Sequence, residues 1–243
     1  MSQNKISIKV LGSGSSGNSI LVDSAETGLL MLDCGLNYNN LLHLSGFRLV
    51  SLRGCLISHQ HGDHCRSAKD LGNKSLVTIY GLQETLDAIY KNASKKKAEK
   101  EKRLCSRAIK HMEKFSIGSI EILPFEVKHD VPNVGYLISI SGYKILYITD
   151  TARLEYKFDG VTHLIIGINY QTEKLLASHD GDHRTQRVLD SHMSLAEGLR
   201  IINEHKTDLR QIDVIHLSDR NTNKEEMRQA IERLNTGADI HIF

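Results

Sequence analysis

The chain has 243 residues, 40% apolar and 25% charged, an ordinary globular composition for one large domain or two small ones. No run approaches the roughly 18 apolar residues of a membrane span, and the composition excludes a collagen-like fibre and a wholly disordered chain. Net charge is only +2, but residues 91–114 hold ten Lys or Arg against three Glu, while the remainder holds 21 basic against 26 acidic residues. That basic segment reads either as a solvated helix face or as a contact for phosphate or nucleic acid.

In chain order, Lys5 to Leu11 alternates polar and apolar residues and predicts a half-buried strand, with no signal-peptide core. A Gly/Ser-rich loop, residues 12–19, breaks it. Short apolar runs at Ile20–Val22 and Leu29–Leu32 follow, the second ending in Asp33-Cys34-Gly35. Leu52–Ser58 predicts a strand that runs into a cluster of His and Asp, and Leu76–Tyr80 predicts the next. Residues 82–114, Lys-rich with few apolar anchors, predict a helical insertion.

Strands are then expected at Ser119–Val127, Gly135–Ser141 and Tyr143–Thr149, with Gly142 as the hairpin turn, and at His163–Ile168. Ser178 to Gln186, with His179 and His183, reads as a polar loop whose histidines are surface residues or substrate contacts. Leu195–His205 and Glu225–Leu234 have helical spacing around a strand at Gln211–Leu217, and Ala238–Phe243 predicts a last strand. With two prolines and no repeat, the order of elements argues for a single domain of two sheets with helices outside. Cys34, Cys55, Cys65 and Cys105 form no Cys-x-x-Cys pair, so a reduced, cytoplasmic protein is expected.

The chemistry is concentrated in Ser58-His59-Gln60-His61-Gly62-Asp63-His64. Three imidazoles and a carboxylate so close together cannot all be buried without partners. Alternation puts His59 and His61 on one side of the turn, while Asp63 and His64 reach a second point nearby. One loop thus offers ligands to two neighbouring cations. Imidazole suits Zn, Mn or Fe, and a carboxylate binds or orients either ion.

This His-x-His-x-Asp-His motif after a strand resembles that of the metallo-β-lactamase superfamily, and the resemblance extends over nearly the whole chain. It implies an α/β fold, a four-layer αββα sandwich. It also implies a ligand set: His59, His61 and His129 on one ion, Asp63, His64 and His216 on the other, and Asp150 shared. Asp33, in Leu32-Asp33-Cys34-Gly35, is implied to support the metal loop from behind. Two divalent ions are expected, zinc first and manganese as the rival.

The Gly-Ser-Gly-Ser-Ser-Gly-Asn-Ser loop, the His216-Leu217-Ser218 segment and Ser191-His192-Met193-Ser194 are similar to the YycJ-like branch near tRNase Z, which acts on phosphodiesters. His129 to Tyr136 is similar to phage-borne members that destroy cyclic nucleotide second messengers. A nucleotide phosphodiester is therefore the expected substrate. The first expectation is a cyclic nucleotide; a DNA exonuclease or tRNase Z-like nuclease is the alternative, and a non-catalytic nucleic-acid-binding protein is a third. A homodimer is carried over from relatives, and no membrane is involved.

Asp63 is expected to steer the attacking oxygen as well as to ligate. His192 is the candidate proton donor to the leaving oxygen, or else a residue at a helix start. Ser15, Ser16 and Asn18 either face a phosphate or form a turn beneath the metals, and Arg220 and Asn221 either hold phosphate oxygens or form a surface turn. Gly167 departs from relatives, which often carry Glu there.

Overall fold

The structure, a computed structural model, describes residues 6–91, 105–178 and 183–243. The chain forms two compact units. One holds Met1–Phe125 with Val131–Val134 and Ser139–Gly142; the other holds Glu126–Asp130, Gly135–Ile138 and Tyr143–Phe243.

In the first unit a six-stranded sheet runs in chain order: β1 (Ile6–Gly12), β2 (Ser19–Ser24), β3 (Gly28–Cys34), β4 (Leu52–Leu56), β5 (Ile79–Leu82) and β6 (Ser106–Ile109). Short connections make β1, β2 and β3 antiparallel. From β3 onward the pairing is parallel, because helices intervene. Those helices are α1 (Tyr38–Leu44), α2 (Gly62–Cys65), α3 (Ala68–Ser75) and α4 (Gln83–Tyr90). Strand β3 is buried at all but its first residue, which is why its sequence is a continuous apolar run rather than an alternation. Met31 and Ile79 of the sheet share a core with Leu41, Leu71 and Leu86 of the helices. The register Leu32↔Leu56 brings the carboxyl ends of β3 and β4 level, which places Asp33 beside Ser58.

The second sheet has the order β13 (Asp239–Ile242), β12 (Gln211–Ile215), β11 (His163–Gly167), β10 (Tyr143–Ile148), β9 (Asn133–Ile140), β8 (Ile120–Val127) and β7 (Phe115–Ile117). Strands β10 to β13 are parallel. Helices α5 (Thr172–Ser178), α6 (His183–Ser191) and α7 (Leu195–His205) lie between β11 and β12, and α8 (Lys224–Glu232) lies between β12 and β13. Ser194 caps α7 by accepting from the Glu197 N–H, and Asn223 caps α8 by accepting from Glu225 and Glu226. The registers Ile148↔Ile166 and Gly167↔Ile215 bring Asp150, Asn169 and His216 out at one carboxyl edge. Ligands of parallel sheets bind at such an edge.

Three sequence expectations are corrected. Within 82–114, α4 is helical, but Ser106–Ile109 is a strand that pairs in parallel with β5 (Ile79↔Ser106, Leu82↔Ile109). This non-local pairing overrides a local Lys/Arg pattern that reads as helix, and the exposed Arg107 blunts the sheet edge. Residues 92–104 lie outside the described ones.

The expected polar loop is helical from His183 onward, where α6 is tied down by Arg187 pairing with Asp130 at 2.8 Å; His179 lies outside the described residues. Leu76, expected to start a strand, instead caps α3 in a left-handed conformation. The Ser141-Gly142 turn between β9 and β10 has φ of 49° and 81°, positive at both positions as a two-residue hairpin turn requires. Among the described residues, no helix is long and apolar enough to cross a membrane.

Candidate metal centre

In the first unit the centre starts from Asp33, which is fully buried at the end of β3. Its carboxylate accepts from the Ser58 N–H (2.7 Å) and the Ser58 hydroxyl (2.8 Å), and stands 2.7 Å from His64 Nδ1. A carboxylate can only accept, so Nδ1 of His64 carries the proton and Nε2 presents its lone pair. Ser58 Oγ also lies 3.0 Å from His59 Nδ1, and His59 Nε2 lies 3.0 Å from His61 Nδ1.

Asn18 locks the loop from the other side. It is fully buried. Its backbone N–H donates to the Asp63 carbonyl (2.7 Å), and its side chain accepts from the Gly14 N–H (2.8 Å) and lies 3.1 Å from His64 Nε2. Of the two readings of this loop, these contacts fit the turn beneath the candidate metal loop, which Asn18 holds in place. Gly35 permits the close approach, since a Cβ there would stand 1.7 Å from the Asp63 carbonyl oxygen. Ser15 and Ser16 are exposed.

In the second unit His129 Nδ1 donates to the Ser191 carbonyl (2.9 Å), which leaves Nε2 as the donor atom toward a cation. That Nε2 is 4.0 Å from Asp150 Oδ2, and His216 Nε2 is 3.3 Å from Asp150 Oδ1. Asn169, just past β11, joins two parts of the site. Its Oδ1 accepts from the Met193 N–H (3.1 Å), while Nδ2 donates to the His216 carbonyl (2.9 Å) and stands 2.7 Å from His216 Nδ1. Sequence reasoning missed this residue, although its place directly after a buried strand, like that of Asp33 and Asp150, was a usable signal.

The His192 ring centroid is 5.5 Å from that of His129 and 6.0 Å from that of His216. Burial pushes His192 down to about 4, against the opposing pull of Asp150. Ser191 Oγ donates to the Arg187 carbonyl (2.6 Å), so it accepts from His192 Nδ1 (2.8 Å). This network makes Nε2 the basic nitrogen of His192. Arg220 is exposed, whereas Asn221 is buried and ties its turn to Gln171 through the backbone.

The first unit thus presents His59, His61, Asp63 and His64 on one loop, and the second presents His129, Asp150 and His216, all side chains of the kind that hold a cation. Asp33, Asp150 and His216 also share a backbone trait, with φ of 54°, 44° and 57°. The left-handed region is uncommon for non-glycine residues and recurs at functional sites.

A family model described as the beta-lactamase superfamily domain matches residues 30–220. The chain belongs to that superfamily. With the family comes its class of activity, that of a metal-dependent hydrolase. Exodeoxyribonuclease WalJ of Streptococcus pneumoniae serotype 2 is 26% identical over 254 aligned residues, covering 100% of this chain and 93% of that protein. A stretch of 79 residues is 37% identical to anti-Pycsar protein Apyc1 of Bacillus phage 010DV004, covering 30% of this chain and 28% of that one. The metallo-beta-lactamase fold protein YhfI from Bacillus subtilis superposes with a TM-score of 0.74 over 98% of this chain and 97% of its own, at 18% identity. The α/β metallo-β-lactamase fold expected from the sequence is borne out, and so is its placement with nuclease-like relatives.

Proposed function

We propose that the chain is a phosphodiesterase that works through two divalent cations on a nucleotide phosphodiester, and that a cyclic nucleotide is its substrate. The carrying observation is Asp150, whose two carboxylate oxygens face His129 Nε2 at 4.0 Å and His216 Nε2 at 3.3 Å, one histidine from each implied ligand set. On this reading His59, His61 and His129 would hold one ion and Asp63, His64 and His216 the other, with Asp150 available to both. The donors fit such ions: mixed imidazole and carboxylate suits zinc, with manganese as the rival, and seven side chains over two ions leave open positions. His64 and His129 each commit Nδ1 to a carboxylate or a carbonyl, the usual support of a ligating histidine.

When bound, the cations supply Lewis acidity at a phosphoryl oxygen and make a water acidic enough to ionise near pH 7. The chain does the rest. Asp33 fixes the ring of His64, and Asn169 fixes that of His216. Asp63, part-exposed beside His64, orients the incoming oxygen. His192, with Nδ1–H held by Ser191, takes a proton at Nε2 and hands it to the leaving oxygen.

The similarity of a segment to Apyc1 supports the cyclic-nucleotide substrate. A second reading, a nuclease acting on DNA ends, is favoured by the similarity to WalJ along the whole chain. The test is to incubate zinc- or manganese-loaded protein with cyclic mononucleotides and with end-labelled DNA and RNA. Hydrolysis of cyclic nucleotides is expected. Degradation of polymers alone, weakening steeply with salt, would replace the first reading by the second.

A further inference from the structure

We propose that a cavity of about 540 Å³ in the second unit is the subsite for the nucleobase of the substrate, an inference that rests on the phosphodiesterase reading above. Glu126, Lys128, Arg153, Glu155, Tyr156 and Asp190 line it. Its position follows from the chain itself, for three separate wall segments run straight into the centre. Lys128 precedes His129, Ala152 lies two residues beyond Asp150, and Asp190 lies two residues before His192. Two residues span at most about 7 Å. A nucleotide whose phosphate sits at Asp150 is thus long enough for its sugar and base to reach this cavity. The volume lies within the roughly 300–1,000 Å³ of small-molecule pockets.

The lining decides what part of a substrate it takes. Two cations stand against three carboxylates, so a further phosphate or a polyanionic strand meets net repulsion there. A neutral base has donors and acceptors on its edge, which carboxylates and a guanidinium both satisfy. Tyr156 offers the ring on which a base stacks.

The wall is also held in place. Tyr156 lies against Phe158, with centroids 6.1 Å apart and planes 21° apart. The Leu154 N–H donates to Glu197 Oε1 at 3.2 Å, and the Thr151 hydroxyl donates to the Arg153 carbonyl at 2.9 Å. An aromatic face fixed beside a phosphate-directed centre binds a base without having to order a loop first.

Two measurements test this. In the first, kcat/KM of the metal-loaded enzyme is compared for thymidine 5′-(p-nitrophenyl phosphate) and for methyl p-nitrophenyl phosphate, which has no base. The wild-type preference for the nucleotide ester is expected to fall about tenfold in Tyr156→Ala, through KM, and to be restored in Tyr156→Phe. An unaltered preference in Tyr156→Ala, or no recovery with phenylalanine, overturns the subsite. In the second, binding of the four nucleosides to metal-free protein is followed by saturation-transfer NMR. At least one is expected to bind the wild type and to weaken about tenfold in Tyr156→Ala; no binding by any of them overturns the subsite. Nucleoside binding without cleavage of either ester would sink the phosphodiesterase reading while the base subsite stood. Cleavage with no base preference would do the reverse.

Discussion

The carboxylate of Asp33 touches Ser58 twice and His64 once, and is fully buried while doing so. An amide there keeps one acceptor oxygen in place of two, so it cannot accept from both the Ser58 N–H and the His64 ring. Asp33→Asn is therefore expected to weaken metal affinity about 10–100-fold, as read by competition with a chromogenic chelator. Asp150 and His61 are proposed ligands. Alanine at either is expected to bring hydrolysis to background, with an unchanged circular dichroism spectrum, in a phosphodiester assay; turnover in either variant would place the active site elsewhere. The loop His59–His64 was legible because its ligands are contiguous. Asn18 was legible only as part of its Gly/Ser-rich loop, and Asn169 was passed over because its partner His216 lies 47 residues away, although it directly follows a buried strand.

At the scale of elements, the strand ends matter more than the strands. Parallel strands deliver Asp33, Asp150, Asn169 and His216 at their carboxyl ends, and the apolar runs that announced those strands announced these positions too. Less legible was β6, which depends on pairing with β5, and α6, whose sequence has few apolar anchors and whose ion pair to Asp130 is non-local.

The meeting of β3 with the metal loop depends on Gly35. Gly35→Ala forces a methyl group to within 1.7 Å of the Asp63 carbonyl, so it is expected to destabilise the protein by about 1–3 kcal/mol or more in urea unfolding and to lose metal. Gly62→Ala is the contrast. Its Cβ meets nothing within 4 Å, and its stability is expected to stay within about 0.5 kcal/mol of wild type.

For the molecule as a whole, stability should depend on pH through a group remote from the ligands. His163 opens β11, with its Nδ1 3.0 Å from Thr162 Oγ1 and its ring edge-on to Tyr143 at 5.3 Å. Burial, and after it Arg210, push it from 6.5 down to about 4. Between those values the unfolded chain binds the proton and the folded one does not. The stability that is intact above pH 6.5 is thus lost as pH falls toward 4, by up to about 2 kcal/mol at pH 5. Urea titrations of metal-free protein at pH 7 and pH 5 should show that loss, and His163→Gln should flatten it. Nothing in the sequence announced this, since His163 was legible only as part of an apolar strand.

The left-handed backbone at positions 33, 150 and 216 bears on any attempt to evolve this enzyme. In a saturation library at those sites, folding would screen the variants before catalysis did. β-Branched and bulky side chains enter that region only under strain, whereas glycine, asparagine and aspartate enter it readily. Survivors chosen for solubility alone would drift toward those three residues, and the imidazole at 216 would return only under a second selection for turnover.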